Sequence, residues 1–376
     1  MDDLIAPLGA FSHLDEANRL RLQDGLHEAA EALETPYDMM VRLLNAGRQT
    51  AMLKIGYDLE IFTTLASRAE PFSVDELASG KSADPLLMSR VLRFLAANRF
   101  ITETDKNLFT GNKSTKGLSD PRIQGGLLHA FHISVPAYQA LPEYLQENKY
   151  QNTTGGQCAW HKSANTDLEF FPWAKQNPQI LKYFQQLMSI PRDGSWLDVM
   201  PFEDEANDAT DRKVFVDIGG NIGHQCARLL AKHPSLAGRV VLQDLEETIR
   251  RAPEVNGVDF MVHDFFTKQP VKGAKFYYLR AILHDWEDDK SVEIMKQIIP
   301  AMSEDSQILI DDLALPNTGV HWWSTCIDMQ MYIMHGAMER TVDQWYGLLD
   351  KAGLKVKEIK TYSPVMRNSV IVAIPK

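Results

Sequence analysis

The chain has 376 residues, 44% of them hydrophobic and 24% charged, and its 39 basic and 50 acidic side chains give a formal net charge of -11. That length and apolar content are enough for more than one packed core, and the acidic balance argues against nucleic acid or an anionic membrane as a main partner. Cys158, Cys226 and Cys326 are too few and too irregularly spaced for a disulfide framework or a metal site, so no metal is expected.

The amino-terminal Met1-Asp-Asp-Leu has neither a basic region nor a long apolar run, which predicts no signal peptide, no membrane span and a cytoplasmic protein. Leu20 to Leu33 and Met39 to Leu53 then carry apolar residues at helical spacing, punctuated by Pro36. Ser73-Val-Asp-Glu-Leu77 is a capping-box helix start and Pro85 to Ala97 a second helix. Phe100-Ile101 and Leu108-Phe109 flank a charged turn, as in a small hairpin. Helix, helix, hairpin resembles a winged helix, but Arg90 and Arg93 are outnumbered by nearby acids and no basic stripe emerges to hold DNA. Residues 120–195 are aromatic-rich and helical, and Glu203 to Asp211 is a polar linker.

Val214-Phe-Val-Asp-Ile-Gly-Gly-Asn-Ile-Gly-His224 runs an apolar strand through Asp217 into a glycine-rich turn, and Gln225 to Lys232 continues as a helix. Gly219, Gly220 and Gly223 allow positive φ and close approach of a ligand to the backbone. A dinucleotide fingerprint would need glycine at 219, 221 and 224, where Asn221 and His224 occupy two of the three positions. The spacing is similar to Asp-x-Gly-x-Gly-x-Gly, the first motif of class I S-adenosylmethionine (SAM) methyltransferases. Asn221, a residue that tolerates the left-handed region, stands in place of the middle glycine.

Arg239-Val-Val-Leu-Gln-Asp244 is a second apolar strand ending in an acid, about 20 residues past the turn, where Asp244 can accept both hydroxyl protons of a ribose. Val258 to Phe265 is a third such run, with Asp264 and Phe265 placed to hydrogen-bond and stack on an adenine. Ligands of open α/β sheets sit beyond the carboxyl ends of the strands, so the three acids converge on one crevice. A fourth run, Ala274 to Leu283, delivers His284-Asp285-Trp286 to its mouth, ahead of a helix whose apolar face repeats through Val292, Met295, Ile299 and Met302. Lys355 to Ile359 and Ser369 to Ile374 are two closing strands, expected as an antiparallel hairpin.

Leu283-His-Asp-Trp286, Ile308-Leu-Ile-Asp-Asp-Leu-Ala-Leu-Pro316 and Met338-Glu-Arg-Thr341 resemble the small-molecule O-methyltransferases of plant phenylpropanoid and fungal secondary metabolism. The similarity runs from near Thr35 to the end of the chain. It implies an α/β fold in which a Rossmann-like SAM-methyltransferase sheet follows an N-terminal helical, winged-helix-like dimerisation domain. It also implies SAM as cofactor, a small natural product as substrate and a homodimer that exchanges its first helix. The expected division is 1–112 for dimerisation, 113–211 for a helical substrate-covering segment and linker, and 212–376 for the SAM-binding catalytic domain.

By the same resemblance His284 is the general base, with Glu339 and Asp312 holding the imidazole. Asp217, Gly219, Gly220, Gly223, Asp244, Leu245, Asp264, Phe265, Arg280 and Trp286 are expected around the cofactor. His129, His132, Phe171, Phe184, Met188, Asp285, Met329 and Met334 are expected around the substrate. The family commonly has Glu where Asp312 stands and Lys where Arg280 stands.

A phenol near pKa 10 and a histidine near 6.5 make full proton transfer cost about 5 kcal/mol, so deprotonation has to be concerted with attack on the methyl group. A carboxylate behind the imidazole stabilises the imidazolium that forms. Two other readings stand beside methyl transfer. One is a pericyclase that keeps the sulfonium as an electrostatic catalyst, with His129 and His132 as hydrogen-bond donors. The other is a SAM-binding dimeric regulator without turnover.

Overall fold

The computed structural model describes residues 14–152, 156–190, 195–202 and 212–376. The polar linker expected at Glu203 to Asp211 and the extreme amino terminus lie outside them. The chain divides into two compact units, 1–147 with 159–192 and 148–158 with 193–376.

The first unit opens with helices Glu16–Ala32 and Pro36–Asp58. Both begin earlier than apolar periodicity alone indicates, because polar caps nucleate them. Asp15 accepts from the Asn18 amide, and Thr35 and Asp38 form a reciprocal capping box. Pro36, expected only as punctuation, occupies the first helical turn, where its missing N–H costs nothing. Strand β1 (Phe72–Ser73), helices Val74–Ser79 and Pro85–Ala97, and strands β2 (Thr102–Asp105) and β3 (Leu108–Thr110) make the winged-helix-like unit, with sheet order β1-β3-β2. The Ser73–Glu76 capping box is present, and Ile61, Phe62, Leu65, Leu92, Leu95 and Phe109 form the buried core.

Helices Pro121–His129, Val135–Glu147, Ala159–Ala164, Phe170–Lys175 and Pro178–Met188 complete this unit, with a π-helical turn at Ala130–Ser134. Helices Pro121–His129 and Pro178–Met188 cross closely at Gly125, where a Cβ would lie 2.4 Å from that of Gln186. Tyr37, Met39, Met40, Val41, Leu43 and Leu44 of helix Pro36–Asp58 are exposed, a run of large apolar side chains of the kind that marks an interaction surface.

The second unit is built on β4 (Phe215–Ile218), β5 (Val240–Asp244), β6 (Val258–Val262), β7 (Phe276–Arg280), β8 (Gln307–Leu315), β9 (Arg340–Thr341), β10 (Leu354–Ser363) and β11 (Asn368–Pro375). The sheet order is β10-β11-β8-β7-β4-β5-β6, with β9 added to β8. Strands β6, β5, β4, β7 and β8 are parallel, and β10 and β11 close the sheet as an antiparallel hairpin.

The central strands are apolar on both faces because both are covered. Val216, Tyr277, Leu279, Ile308 and Ile310 belong to one core with Ile294, Met295, Trp345 and Leu348. Phe215, Leu242, Tyr278 and Leu309 belong to the other, with Trp196, Phe202, Cys226 and Leu229. The chain winds from β4 outward through β5 and β6, then returns to β7 on the opposite side of β4. That reversal opens a crevice at the carboxyl ends of β4, β5 and β7.

Candidate active site

The turn after β4 is built by residues in the left-handed region: Gly219 at φ 68°, Asn221 at 54° and Gly223 at 83°. Asn tolerates that region better than other side-chain-bearing residues, which lets the motif keep its shape without a middle glycine. A Cβ on Gly219 would lie 2.7 Å from Ile282 Cδ1, and one on Gly220 would lie 2.4 Å from Asp217 Cγ. The turn is thus laid directly on the segment that leads to His284. Asp217 itself is buried beneath Gly220 and accepts from the Cys226 thiol at 3.4 Å, and burial raises its carboxyl to about 7.

Asp244 faces the turn: its Oδ2 accepts from the Asn221 amide at 2.9 Å and its Oδ1 from the Leu245 amide at 2.8 Å. Each oxygen keeps a lone pair for a further donor. Leu245 is exposed beside it. Asp264 is exposed and accepts from the Phe266 amide, while Phe265 and Trp286 meet edge to face with ring centroids 6.2 Å apart. Arg280 is engaged by Asp311 at 2.9 Å. Asp311, which sequence reasoning did not single out, also accepts from the hydroxyls of Tyr278 and Tyr362.

Beyond β7, Ala281 takes φ 50°, a strained conformation for a residue with a Cβ, and the chain turns through a short 3-10 helix, Leu283–Asp285. This presents His284 with Nδ1 2.7 Å from Glu339 Oε1 and Nε2 3.6 Å from Asp285 Oδ1. Glu339 is held in turn, its amide donating to Asp328 at 2.9 Å. Asp312, buried on β8, has no hydrogen bond to the imidazole and acts on it through charge. Glu339 Oε2 and Asp312 Oδ2 are buried without a partner.

Burial disfavours the imidazolium, but the Glu339 hydrogen bond and the charges of Asp312, Glu339 and Asp285 outweigh it and raise His284 to about 10. Burial pushes Asp312 up to about 8 against the pull of His284. A neutral Nε2 in this setting would face outward as an acceptor, with its partner nitrogen fixed as a donor to Glu339.

The expected substrate residues fall into both units. In the first, His129 is buried beside Phe170 and Phe184 with Nε2 unpartnered, and His132 stacks on Tyr183. Phe171 and Met188 are exposed. In the second, Met329 is exposed on helix Trp322–His335 and Met334 is buried in the interior. Sequence reasoning missed Arg340, a fully buried arginine, although it lies inside the Met-Glu-Arg-Thr motif.

The sequence profile of the O-methyltransferase domain matches residues 138–355, and that of the O-methyltransferase dimerisation domain matches 41–115. The chain belongs to the O-methyltransferase family. The demethylsterigmatocystin 6-O-methyltransferase of Aspergillus parasiticus is 36% identical over 369 residues, covering 97% of this chain and 95% of its own. A structure of LepI in complex with SAM superposes with a TM-score of 0.91 at 36% identity, covering 100% of this chain and 97% of that one. A structure described as a pericyclic reaction enzyme also gives 0.91, at 35% identity with both chains fully covered.

The chain is therefore an α/β SAM-dependent O-methyltransferase of the fungal secondary-metabolite type, carrying a dimerisation domain. Val41, Leu43 and Leu44 of the exposed apolar face of helix Pro36–Asp58 fall within the dimerisation match, and Tyr37, Met39 and Met40 immediately precede it. Among the described residues no helix is long and apolar enough to cross a membrane.

Proposed function

We propose that this enzyme methylates a hydroxyl of a phenolic or enolic secondary metabolite, with His284 as general base, Glu339 orienting its ring and Asp312 adding negative charge behind it. The observation that carries the reading is the 2.7 Å contact between His284 Nδ1 and the buried Glu339 carboxylate. It fixes Nδ1 as the donor and stabilises the imidazolium, which with no further charge brought near it keeps its proton up to about pH 10, so His284 acts as a base in the form that has lost it from Nε2.

The residues around the β4 turn fit the cofactor. Gly219 and Gly220 are required by the tight packing of the turn on Ile282, Asp217 and Leu242, and Asp244 offers two half-used carboxylate oxygens to ribose hydroxyls. Phe265 and Trp286 offer aromatic surface to the adenine, and Asp264 and Leu245 flank it. Asp217 and Arg280 shape this site from below, the first under Gly220 and the second tied to Asp311. When bound, SAM supplies an activated methyl group and a positive charge whose field opposes the imidazolium at His284. Asp285, beside Nε2, is placed to accept from the substrate or from the ring.

His129, His132, Phe171, Phe184 and Met188 of the first unit are assigned to an apolar, aromatic substrate environment, and Met329 of the second is assigned to acceptor contact, which suits a planar acceptor; Met334, buried in the interior, supports helix Trp322–His335 from within. A homodimer working in the cytosol is the form proposed for the active protein.

A second reading, pericyclic catalysis with the methyl retained, is favoured by the relative described as a pericyclic reaction enzyme. The two differ in what leaves the enzyme. With candidate phenolic acceptors and SAM, methyl transfer releases one S-adenosylhomocysteine per product and adds a methyl group to the product mass. Substrate turnover with no S-adenosylhomocysteine released would discard the first reading.

A further inference from the structure

Arginine is the costliest side chain to bury, and a fully buried one has to be matched donor by donor. Arg340 is 0% exposed, and its partners are unusual in being two main-chain carbonyls of a single loop. Nη1 donates to Leu283 O at 2.7 Å and Nη2 to Trp286 O at 2.8 Å, so the guanidinium bridges the residues on either side of His284-Asp285. Its Nε donates to Asp288 at 3.1 Å, Asp288 is also held by Lys351, and the cation lies over the Trp345 ring at 5.4 Å. Ser291, also fully buried, donates to the same two carbonyls at 3.3 and 3.2 Å.

Arg340 follows Glu339 directly and begins β9, where Ala314 of β8 is its partner. One dipeptide therefore grips the base twice, Glu339 by the ring and Arg340 by the backbone.

We propose that Arg340 is a positioning residue for the reaction: by clamping Leu283 O and Trp286 O it sets the height and tilt of the His284 ring against Glu339. This rests on the reading of His284 as the base. Without the clamp, the loop's two carbonyls keep only the long contacts from Ser291 and, at Leu283 O, the Trp286 amide at 3.3 Å, beside a strained Ala281. Glu339 stays in place through Asp328, so the ring and not the carboxylate would move.

The test uses the full-length enzyme. Arg340→Lys keeps the positive charge but loses the fork, and Ser291→Ala removes the second donor to the same carbonyls together with an acceptor of Arg340 Nη2 at 3.4 Å. The His284 ring proton, assigned by its disappearance in His284→Ala, is titrated by NMR in wild type and both variants. Turnover, S-adenosylhomocysteine affinity and melting temperature are measured alongside. Arg340→Lys is expected to lower kcat roughly 10- to 100-fold, the scale of a misplacement near 1 Å, with cofactor affinity close to wild type.

The His284 titration should move to lower pH, because the Glu339 bond loosens while the charges of Asp285, Asp312 and residue 340 are unchanged. An unchanged titration in a folded Arg340→Lys enzyme overturns the proposal, as does a loss of turnover that merely follows lost stability and cofactor affinity. If Arg340→Lys does not fold, the same titration in Ser291→Ala decides. If His284→Ala keeps its turnover, the base assignment fails, while the titrations still report whether Arg340 sets the ring.

Discussion

Replacing Glu339 by Gln keeps the shape of the side chain and a hydrogen bond to Nδ1 but removes the buried charge, and its effect can be worked out from the imidazole it touches. His284 rises from 6.5 unfolded to about 10 folded. A group raised in this way adds stability that is fully present below 6.5 and is lost as pH climbs through 10. The whole shift corresponds to at most about 5 kcal/mol, shared among Glu339, Asp312 and Asp285. Asp312, pushed up to about 8 by burial, has lost most of its proton by pH 9, so the histidine dominates the interval from pH 8 to 10.

Within that interval the folded state holds one proton that the unfolded state lacks, which costs about 1.4 kcal/mol per pH unit, or between 2 and 3 kcal/mol in all. In Glu339→Gln the carboxylate bond and one of the three nearby charges are lost, burial acts on the imidazole with less opposition, and the slope over the interval should be shallower. Urea unfolding of both proteins at pH 8, 9 and 10 gives the difference, to which Asp312, also raised by the Glu339 charge, adds a small part near pH 8. Parallel curves would show that Glu339 does not hold a proton on His284. Turnover should fall in the same variant, because the imidazolium formed when Nε2 takes the substrate proton loses the carboxylate that stabilises it.

Three further outcomes are expected. Asp244→Ala leaves ribose hydroxyls without acceptors and should weaken S-adenosylhomocysteine binding by about 1 to 3 kcal/mol in calorimetry; unchanged affinity would remove Asp244 from the cofactor site. Gly219→Ala puts a Cβ at φ 68° and 2.7 Å from Ile282, so melting temperature and cofactor affinity should both fall, at an intrinsic backbone cost of about 1 to 2 kcal/mol; a variant with both intact would show the turn to be slack. Sedimentation at low micromolar concentration should give twice the chain mass, and Leu43→Glu, on the exposed face of helix Pro36–Asp58, should shift the protein toward monomer without unfolding it; a monodisperse wild-type monomer would contradict this.

Much of this architecture is legible in the chain, because each parallel strand is a short apolar run that stops at a polar residue or turn. Strand, crossover and strand repeat in an order that places Asp217, Asp244 and Arg280 at carboxyl ends. Which way those side chains point is another matter. Adjacent residues of a strand face opposite sides of the sheet, so Asp311 joins Tyr278, Tyr362 and Arg280 while Asp312 faces the charge of His284. Two neighbouring aspartates give no sign of that split until the register is known.

Asp217 likewise looks like a ligand group in a motif, yet folds under Gly220. Ala281 carries no hint of its left-handed conformation, since nothing in an alanine favours one. Arg340 escaped notice because a lone arginine is by default a surface residue. Only its neighbours reveal two carbonyls and a carboxylate waiting for a fork-shaped donor.

The short pairing of β9 with β8 has a consequence for how such enzymes diversify. Glu339 and Arg340 reach His284 from a dipeptide whose position depends on the tight exit from helix Trp322–His335 at Gly336, in the left-handed region at φ 61°. An insertion or deletion between Gly336 and Met338 would unseat both contacts in one event, so that spacing is heritable only as an intact cassette. The exposed positions of the preceding helix, Met329 among them, are under no such constraint. Point changes along that helix therefore leave the Glu339–Arg340 cassette passed on unaltered.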